Sequence, residues 1–236
     1  MFGLNGKSFF STLIGHWAVH FQGNPEKIWK RNDLGRTMEI VKESNADVIG
    51  ICEVLEGQYE QMRDRLMELG YGYVYFTKGH KLSHYDMHVI EVIASKLKCR
   101  QLNLEAWQVE DKIGGGEGFG AVYLPEPKTT LLSAHLALST RKYFYDQINF
   151  IAEKIRSVKG KVILIGDFNL SYQKIRNYFP ELNLVSEEIK TCSNTPIMKL
   201  FYNKDVDHIF VKGFKKKKFG TLKGYSDHLL LWADLI

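Results

Sequence analysis

Two kinds of segment alternate along these 236 residues and together predict an α/β fold. Near-continuous apolar runs at residues 46–54 and 161–170 read as strands buried on both faces. Between such runs lie stretches with apolar residues at helical spacing, the longest being the stripe Phe144, Ile148, Ile151, Ile155 and Val158. Several of the apolar runs also stop at a carboxylate or a histidine, and the carboxyl ends of strands are where open α/β sheets carry their sites.

In chain order, residues 12–21 alternate well enough to form a first strand, with the apolar patch 9–14 as its lead-in. Asn24, Pro25 and Glu26 mark a helix start, and Leu34, Met38 and Val41 supply its apolar face. Residues 46–54 form a buried strand ending at Glu53. A helix over 57–69 turns Tyr59, Met62, Leu66 and Leu69 inward and stops at Gly70, where a left-handed residue is needed. Tyr71, Tyr73 and Tyr75 alternate on the next strand, a row better suited to packing than to stacking bases. His80, His84 and His88 recur every four residues, but Gly79, Ser83 and Asp86 place them in a loop and argue against a helical zinc site.

Residues 89–94 form a strand that carries Glu91, a buried carboxylate in need of a partner. Residues 100–109 predict another strand. The glycines of 114–120 fit no dinucleotide-binding window and read as a hairpin. Residues 129–138 form a buried strand with His135 near its end, and Thr140 is placed to cap the helix that follows. Residues 161–170, Lys-Val-Ile-Leu-Ile-Gly-Asp-Phe-Asn-Leu, make the strand that delivers Asp167 and Asn169. Those two residues alone also suit a turn. A short helix and a polar loop follow over 171–204, then a strand at 205–211 with Asp207 near its start. Lys215 to Lys218 form a turn-borne basic run. The chain continues through Asp227 and His228 into a last strand at 229–235.

Composition narrows the class. Hydrophobic content of 44% and charged content of 25% are globular values and exclude disorder, and the length suits one domain over residues 1–236. A net charge of +5 and an isoelectric point near 8.9 lean mildly toward an anionic partner. Cys52, Cys99 and Cys192 are odd in number and widely spaced, which excludes a disulfide framework and a zinc knuckle and predicts a reducing, cytoplasmic setting. The patch at 9–14 is too short for a signal peptide or a membrane span. Oligomeric state is not legible.

Glu53, Glu91, His135, Asp167, Asn169, Asp207, Asp227 and His228 thus sit in or at the ends of separate strand-like segments. If those strands share a site, an acid cluster with histidines and an amide suits metal-assisted attack of water on phosphorus. The ordered motifs Ile-Cys-Glu-Val, Ala-His-Leu, Gly-Asp-Phe-Asn, Val-Asp-His-Ile-Phe-Val and Ser-Asp-His resemble the endonuclease/exonuclease/phosphatase superfamily, with its deoxyribonuclease I-like fold. The resemblance implies an α+β sandwich of two packed mixed sheets flanked by helices, and a phosphodiesterase dependent on Mg²⁺ or Mn²⁺. It further implies Glu53 as metal ligand, with Asp227 adding a second. Asp167 would orient water and Asn169 would contact the phosphate. His228 would stand at the phosphate with Asp207 holding its ring, and His135 would be the second histidine, paired with Glu91.

DNA or RNA is the expected substrate, since the basic charge and the His135/Glu91 pairing lean to the nuclease branch. Phospholipid or inositol-phosphate head groups are the alternative, and a non-catalytic nucleic-acid-binding module is the alternative of another class. Cys52-Glu53-Val54 lacks the Gln-Glu-Thr context of abasic-site endonucleases. One position departs from the family pattern. Ala18, in Ala18-Val19-His20, stands where the family carries an Asn that reaches metal and phosphate. Either the residue was altered to give an inactive protein that traps substrate, or the chain is a natural degenerate member, or His16 or His20 substitutes. The intactness of the other motifs favours the first.

Overall fold

The computed structural model describes residues 7–12, 34–82, 87–102, 118–140, 142–186, 189–192, 204–223 and 228–236. Ala18, His16, His20, His84 and Asp227 lie outside them, as does the expected helix start at Asn24.

In chain order the elements are β1 (Lys7–Thr12), α1 (Leu34–Ser44), β2 (Val48–Leu55), a 3₁₀ turn (Glu56–Gln58), α2 (Tyr59–Glu68), β3 (Tyr73–Leu82), β4 (Met87–Ser95), β5 (Arg100–Gln101), β6 (Gly118–Leu124), β7 (Thr129–His135), α3 (Phe144–Ser157), β8 (Lys161–Asp167), α4 (Tyr172–Ile175), β9 (Asn183–Leu184), β10 (Asp207–Lys212), β11 (Lys216–Leu222) and β12 (Leu230–Leu235). The strands form two six-stranded sheets, ordered β11-β12-β1-β2-β4-β3 and β5-β6-β7-β8-β10-β9. Each sheet is built around one parallel pair, β1 with β2 and β7 with β8, and its other pairings are antiparallel. The two orders are the same plan used twice, although the sequence holds no internal repeat.

Strand alternation sorts the apolar residues into three layers. Ile163 and Ile165 of β8, Ile209 and Val211 of β10, and Val48 and Ile93 from the first sheet pack together between the sheets. Val162 and Leu164 face the other way, onto Phe144, Ile148, Ile151 and Ile155 of α3. On the far side, Ile49, Ile51 and Val54 of β2 pack on Met38 and Val41 of α1 and on Met62 and Leu66 of α2. This is the two-sheet sandwich flanked by helices that the family resemblance implies.

Several local expectations shift. The strand beside β2 is Lys7–Thr12, so the apolar patch read as a lead-in is part of the strand itself; residues 13–21 lie outside the described set. Tyr71 precedes β3 and is buried, donating to the Ala46 carbonyl, while Tyr73 and Tyr75 pack at the inter-sheet core. His80 and His88 lie on the paired strands β3 and β4 rather than in a loop, and His88 Nδ1 is 3.0 Å from Glu56 Oε2. β5 is only two residues long, and residues 103–117 are outside the described set. Gly118 and Gly120 belong to β6 and not to a hairpin tip. α3 begins at Phe144 with Tyr143 at its cap, so Thr140 does not cap it. The lysine run leaves the turn early, since Lys216–Leu222 is the edge strand β11 and Lys216, Lys217 and Lys218 are exposed on it, a pattern that discourages edge-to-edge pairing. No helix among the described residues is long and apolar enough to cross a membrane.

Candidate active site

β7, β8 and β10 are adjacent, and their register places His135 opposite Asp167 and Asp167 opposite Asp207. Residues directly opposite on neighbouring strands share a face, so one histidine and two aspartates form a row. They face the other sheet, because Asp167 continues the alternation of Ile163 and Ile165. Gly118 of β6 extends the row on the far side of His135. A Cβ on Gly118 would stand 1.8 Å from Glu91 Cγ, so the carboxylate of Glu91, reaching across from β4, occupies the space that a side chain there would fill. Gly166 is needed for a similar reason, since a Cβ on it would lie 1.8 Å from the Ala134 carbonyl oxygen.

Glu53 reaches the row through a break in the regular strand. The β2–β4 register shifts between Ile51 and Val54, and Glu53 has φ of 58°. Val48 and Cys52 face the inter-sheet core, so unbroken alternation would turn residue 53 toward the helices and Val54 inward. Val54 instead packs on the helix side, and the Glu53 carboxylate comes within 3.7 Å of His135 Nε2. A β-bulge re-aims a side chain in this way.

His135 has a partner at each ring nitrogen. Nε2 lies 3.7 Å from Asp167 Oδ2 as well as from Glu53, and Nδ1 lies 3.8 Å from Glu91 Oε1. His228 Nδ1 is 2.7 Å from Asp207 Oδ2 and 4.0 Å from Asp167 Oδ2. Burial opposes charge on the His228 ring, but Asp207, a hydrogen bond with Cys192 and Asp167 outweigh it and hold the ring protonated well above the ordinary imidazole range. Glu91 is the opposite case. Burial raises it to about 8, against hydrogen bonds from Cys52 and the Glu53 backbone, with Asp167 adding to the rise.

The Asp167-Phe168-Asn169 turn is pinned from three sides. Phe168 is buried among Phe179 and Phe210, edge-to-face at centroid distances of 6.1 and 5.5 Å. Asn169 takes φ of 48°, its N–H donates to Asp167 Oδ1 at 2.8 Å, and its Nδ2 donates to the Leu136 carbonyl at 2.7 Å. The turn reading of this residue is therefore realised, in a turn that also places it beside Asp167. The third support is His208, which sequence reasoning missed. It points to the helix side of β10, fully buried, with Nε2 2.8 Å from the Leu170 carbonyl oxygen and Nδ1 3.5 Å from Ser186 Oγ. Burial pushes its pKa down, leaving a neutral ring that donates to the carbonyl. Its only sequence signal is its place in Val-Asp-His-Ile. Thr191 Oγ1 likewise accepts from the Asp207 N–H at 3.2 Å.

Of the expected site residues, Glu53, Glu91, His135, Asp167, Asn169, Asp207 and His228 are brought together, while Asp227 and Ala18 lie outside the described residues. The donors suit a hard dication: Asp167, Asp207 and His228 offer ligand atoms within 4.8 Å of one another, and Glu53, 17% exposed, stands beside them. Three carboxylates gathered in a largely buried space need a neutralising charge that two histidines only partly provide. Such a group of acids, histidines and one amide at strand ends defines a metal-assisted phosphoesterase class of site.

The profile of the Endonuclease/Exonuclease/phosphatase family, whose members are divalent-metal-dependent hydrolases, matches residues 19–228, and the chain belongs to that family. Its fold is similar to that of D. rerio TDP2 complexed with single-strand DNA product, at 14% identity and a TM-score of 0.67, covering 98% of each chain. It is similar to a Bacteroides thetaiotaomicron mannosyl-6-phosphatase at 16% identity and a TM-score of 0.67, covering 98% of this chain and 99% of that one. ANGEL2, a 2′,3′-cyclic phosphatase, matches at 14% identity and a TM-score of 0.69 over 98% of this chain and 94% of its own. No curated protein sequence matches the chain.

Proposed function

We propose that the protein is a Mg²⁺- or Mn²⁺-dependent phosphodiesterase acting on DNA or RNA, with residues 1–236 as one domain. The observation that carries the reading is the in-register row His135–Asp167–Asp207 with Glu53 turned to face it from the other sheet. Glu53 would hold the metal, with Asp227 as a second ligand. When bound, the dication shields the phosphate charge and polarises the phosphoryl group.

The chain's own groups do the rest. Asp167 is the carboxylate that orients the attacking water. Asn169 gives one Nδ2 hydrogen to Leu136, and the other is available to a phosphate oxygen. His228 is held by Asp207 at Nδ1 and would stand with its protonated ring at the phosphate. His135 presents Nε2 between Glu53 and Asp167, with Glu91 behind it at Nδ1.

A nucleic-acid substrate is supported by the charge of +5 and by a basic cleft. That cleft, about 490 Å³, carries the charges of Arg176, Lys215 and Lys216 on a lining that is otherwise largely apolar, and it opens at the Val211 end of β10, away from Asp207. A backbone phosphate suits such cations. Phospholipid or inositol-phosphate head groups are the second reading, since solved structures similar in fold include a mannosyl-6-phosphatase. A cytoplasmic setting is supported by three unpaired, buried cysteines.

The test is hydrolysis of single-stranded DNA, duplex DNA, RNA and an inositol phosphate by the Ala18→Asn protein. Turnover of a nucleic acid that chelator abolishes and Mg²⁺ or Mn²⁺ restores is the expected result. Undiminished activity in excess chelator overturns the metal reading. Turnover of the head group alone overturns the substrate reading, and binding of nucleic acid without any turnover points to a non-catalytic module.

A further inference from the structure

His135 divides the site into two compartments. Its Nε2 faces the oxygen-rich side, Glu53 and Asp167, and its Nδ1 faces Glu91, behind which lies Cys52. Cys52, Glu91 and His135 each offer a ligand atom within 4.8 Å of the others, all three residues are at most 3% exposed, and Glu91 Oε2 has no hydrogen-bond partner among the described residues. A tetrahedral zinc with bonds of ~2.0–2.3 Å needs ligand atoms ~3.4–3.6 Å apart. The side chains must therefore close by roughly an ångström, within the reach of a rotation of Glu91.

We propose that Cys52, Glu91 and His135 form a second metal site, selective for Zn²⁺ or a similar thiophilic dication, that switches the catalytic histidine off. The selectivity follows from the donors. A thiolate favours zinc and cobalt over magnesium, whereas the Glu53 side offers only oxygen and imidazole. The charges also close, since a dication, one thiolate, one carboxylate and a neutral imidazole sum to zero in a buried space. Near neutral pH binding releases the Cys52 thiol proton and the Glu91 carboxyl proton to solvent, and no electron changes hands.

The consequence for His135 is a tautomer lock. With Nδ1 bound to metal, the ring keeps a single proton on Nε2, facing Glu53 and Asp167, and cannot become imidazolium, so it neither takes up a second proton nor offers positive charge to the phosphate. Gly118 is part of the design, because the missing Cβ is what admits Glu91 to this compartment. Cysteine spacing conceals such a site, since its three ligands come from β2, β4 and β7.

The experiment titrates the protein with Co²⁺, and then with Zn²⁺ in competition, under saturating Mg²⁺. The expected result is one equivalent bound with a sulfur-to-cobalt charge-transfer band. That band should vanish in Cys52→Ser and Cys52→Ala, and affinity should fall roughly 10- to 100-fold in Glu91→Gln. Two cysteine variants guard against one failing to fold. In an Ala18→Asn background, Zn²⁺ should inhibit in the presence of saturating Mg²⁺, and Cys52→Ser should remain active but resist by at least ~10-fold. Absence of the band in the unmutated protein overturns the site, as does its persistence in the folded Cys52 variants, which would assign it to Cys99 or Cys192. Equal inhibition of both proteins overturns the switch. Neither binding outcome touches the phosphodiesterase reading, which stands on the Mg²⁺-supported reaction.

Discussion

His228 Nδ1 and Asp207 Oδ2 lie 2.7 Å apart in a space closed to solvent, and that contact decides the charge of the ring. Because the folded ring keeps its proton to higher pH than the free imidazole value of 6.5, the pair stabilises the fold fully below about pH 6.5. The contribution is then lost as pH rises through the ring's raised value. Replacing Asp207 with Asn should therefore cost about 2 kcal/mol near pH 6, as expected for a hydrogen bond to a charged group. The gap should narrow in alkaline buffer. Melting temperatures across pH for both proteins check this, and a gap that widens with pH would refute it.

Asn169 holds the turn with one amide hydrogen and is proposed to hold the phosphate with the other. Asn169→Gly tolerates φ of 48° and removes only the amide, whereas Asn169→Ala adds roughly 1 kcal/mol of backbone strain. In the Ala18→Asn background, turnover should fall by roughly 10²–10³-fold in both, with Ala the less stable of the two. Glycine within about twofold of its parent in turnover would reduce Asn169 to a turn former.

Gly118→Ala would place a methyl 1.8 Å from Glu91 Cγ, so the Glu91 side chain must leave its place between the sheets. Overpacking of this kind costs roughly 1–3 kcal/mol. Combining it with Glu91→Ala, which vacates the space, should recover most of the loss. A double variant no more stable than Gly118→Ala alone would show that the close approach is not what requires glycine.

Ala18 is expected, from the resemblance, to stand beside the metal and a phosphate oxygen, where alanine offers no donor or acceptor. Ala18→Asn should raise turnover by at least roughly 10- to 100-fold at saturating metal, with the melting temperature nearly unchanged. The alanine protein should capture intact substrate. No gain on a substrate that demonstrably binds would remove Ala18 from the family's Asn position.

The central strands were legible because they are apolar on both faces, so residues 46–54 and 161–170 announce themselves without reference to partners, whereas their arrangement as a two-sheet sandwich came from the family resemblance. The residues of the row were legible one at a time, as acids and a histidine where apolar runs stop. Their register was not, since nothing local in β7 tells which residue of β8 stands opposite His135. Glu53 shows the limit most clearly. Simple alternation turns it toward the helices, and only the bulge, a property of two strands together, brings it inward. Gly118 was read by its own flexibility, when its role is to make room for a side chain from another sheet. His208 and its carbonyl partner are 38 residues apart, beyond the reach of any local pattern.

The pairing of β12 with β1 has a consequence in time. Lys7 lies across from Asp234, so strands 227 residues apart in the chain are neighbours in the sheet. Until Leu230–Leu235 arrives, β1 keeps an open edge and β11 lacks the strand that joins it to the sheet. His228 enters the site just ahead of that strand. The first sheet and the histidine–aspartate pair are therefore completed together, when Leu230–Leu235 docks beside β1.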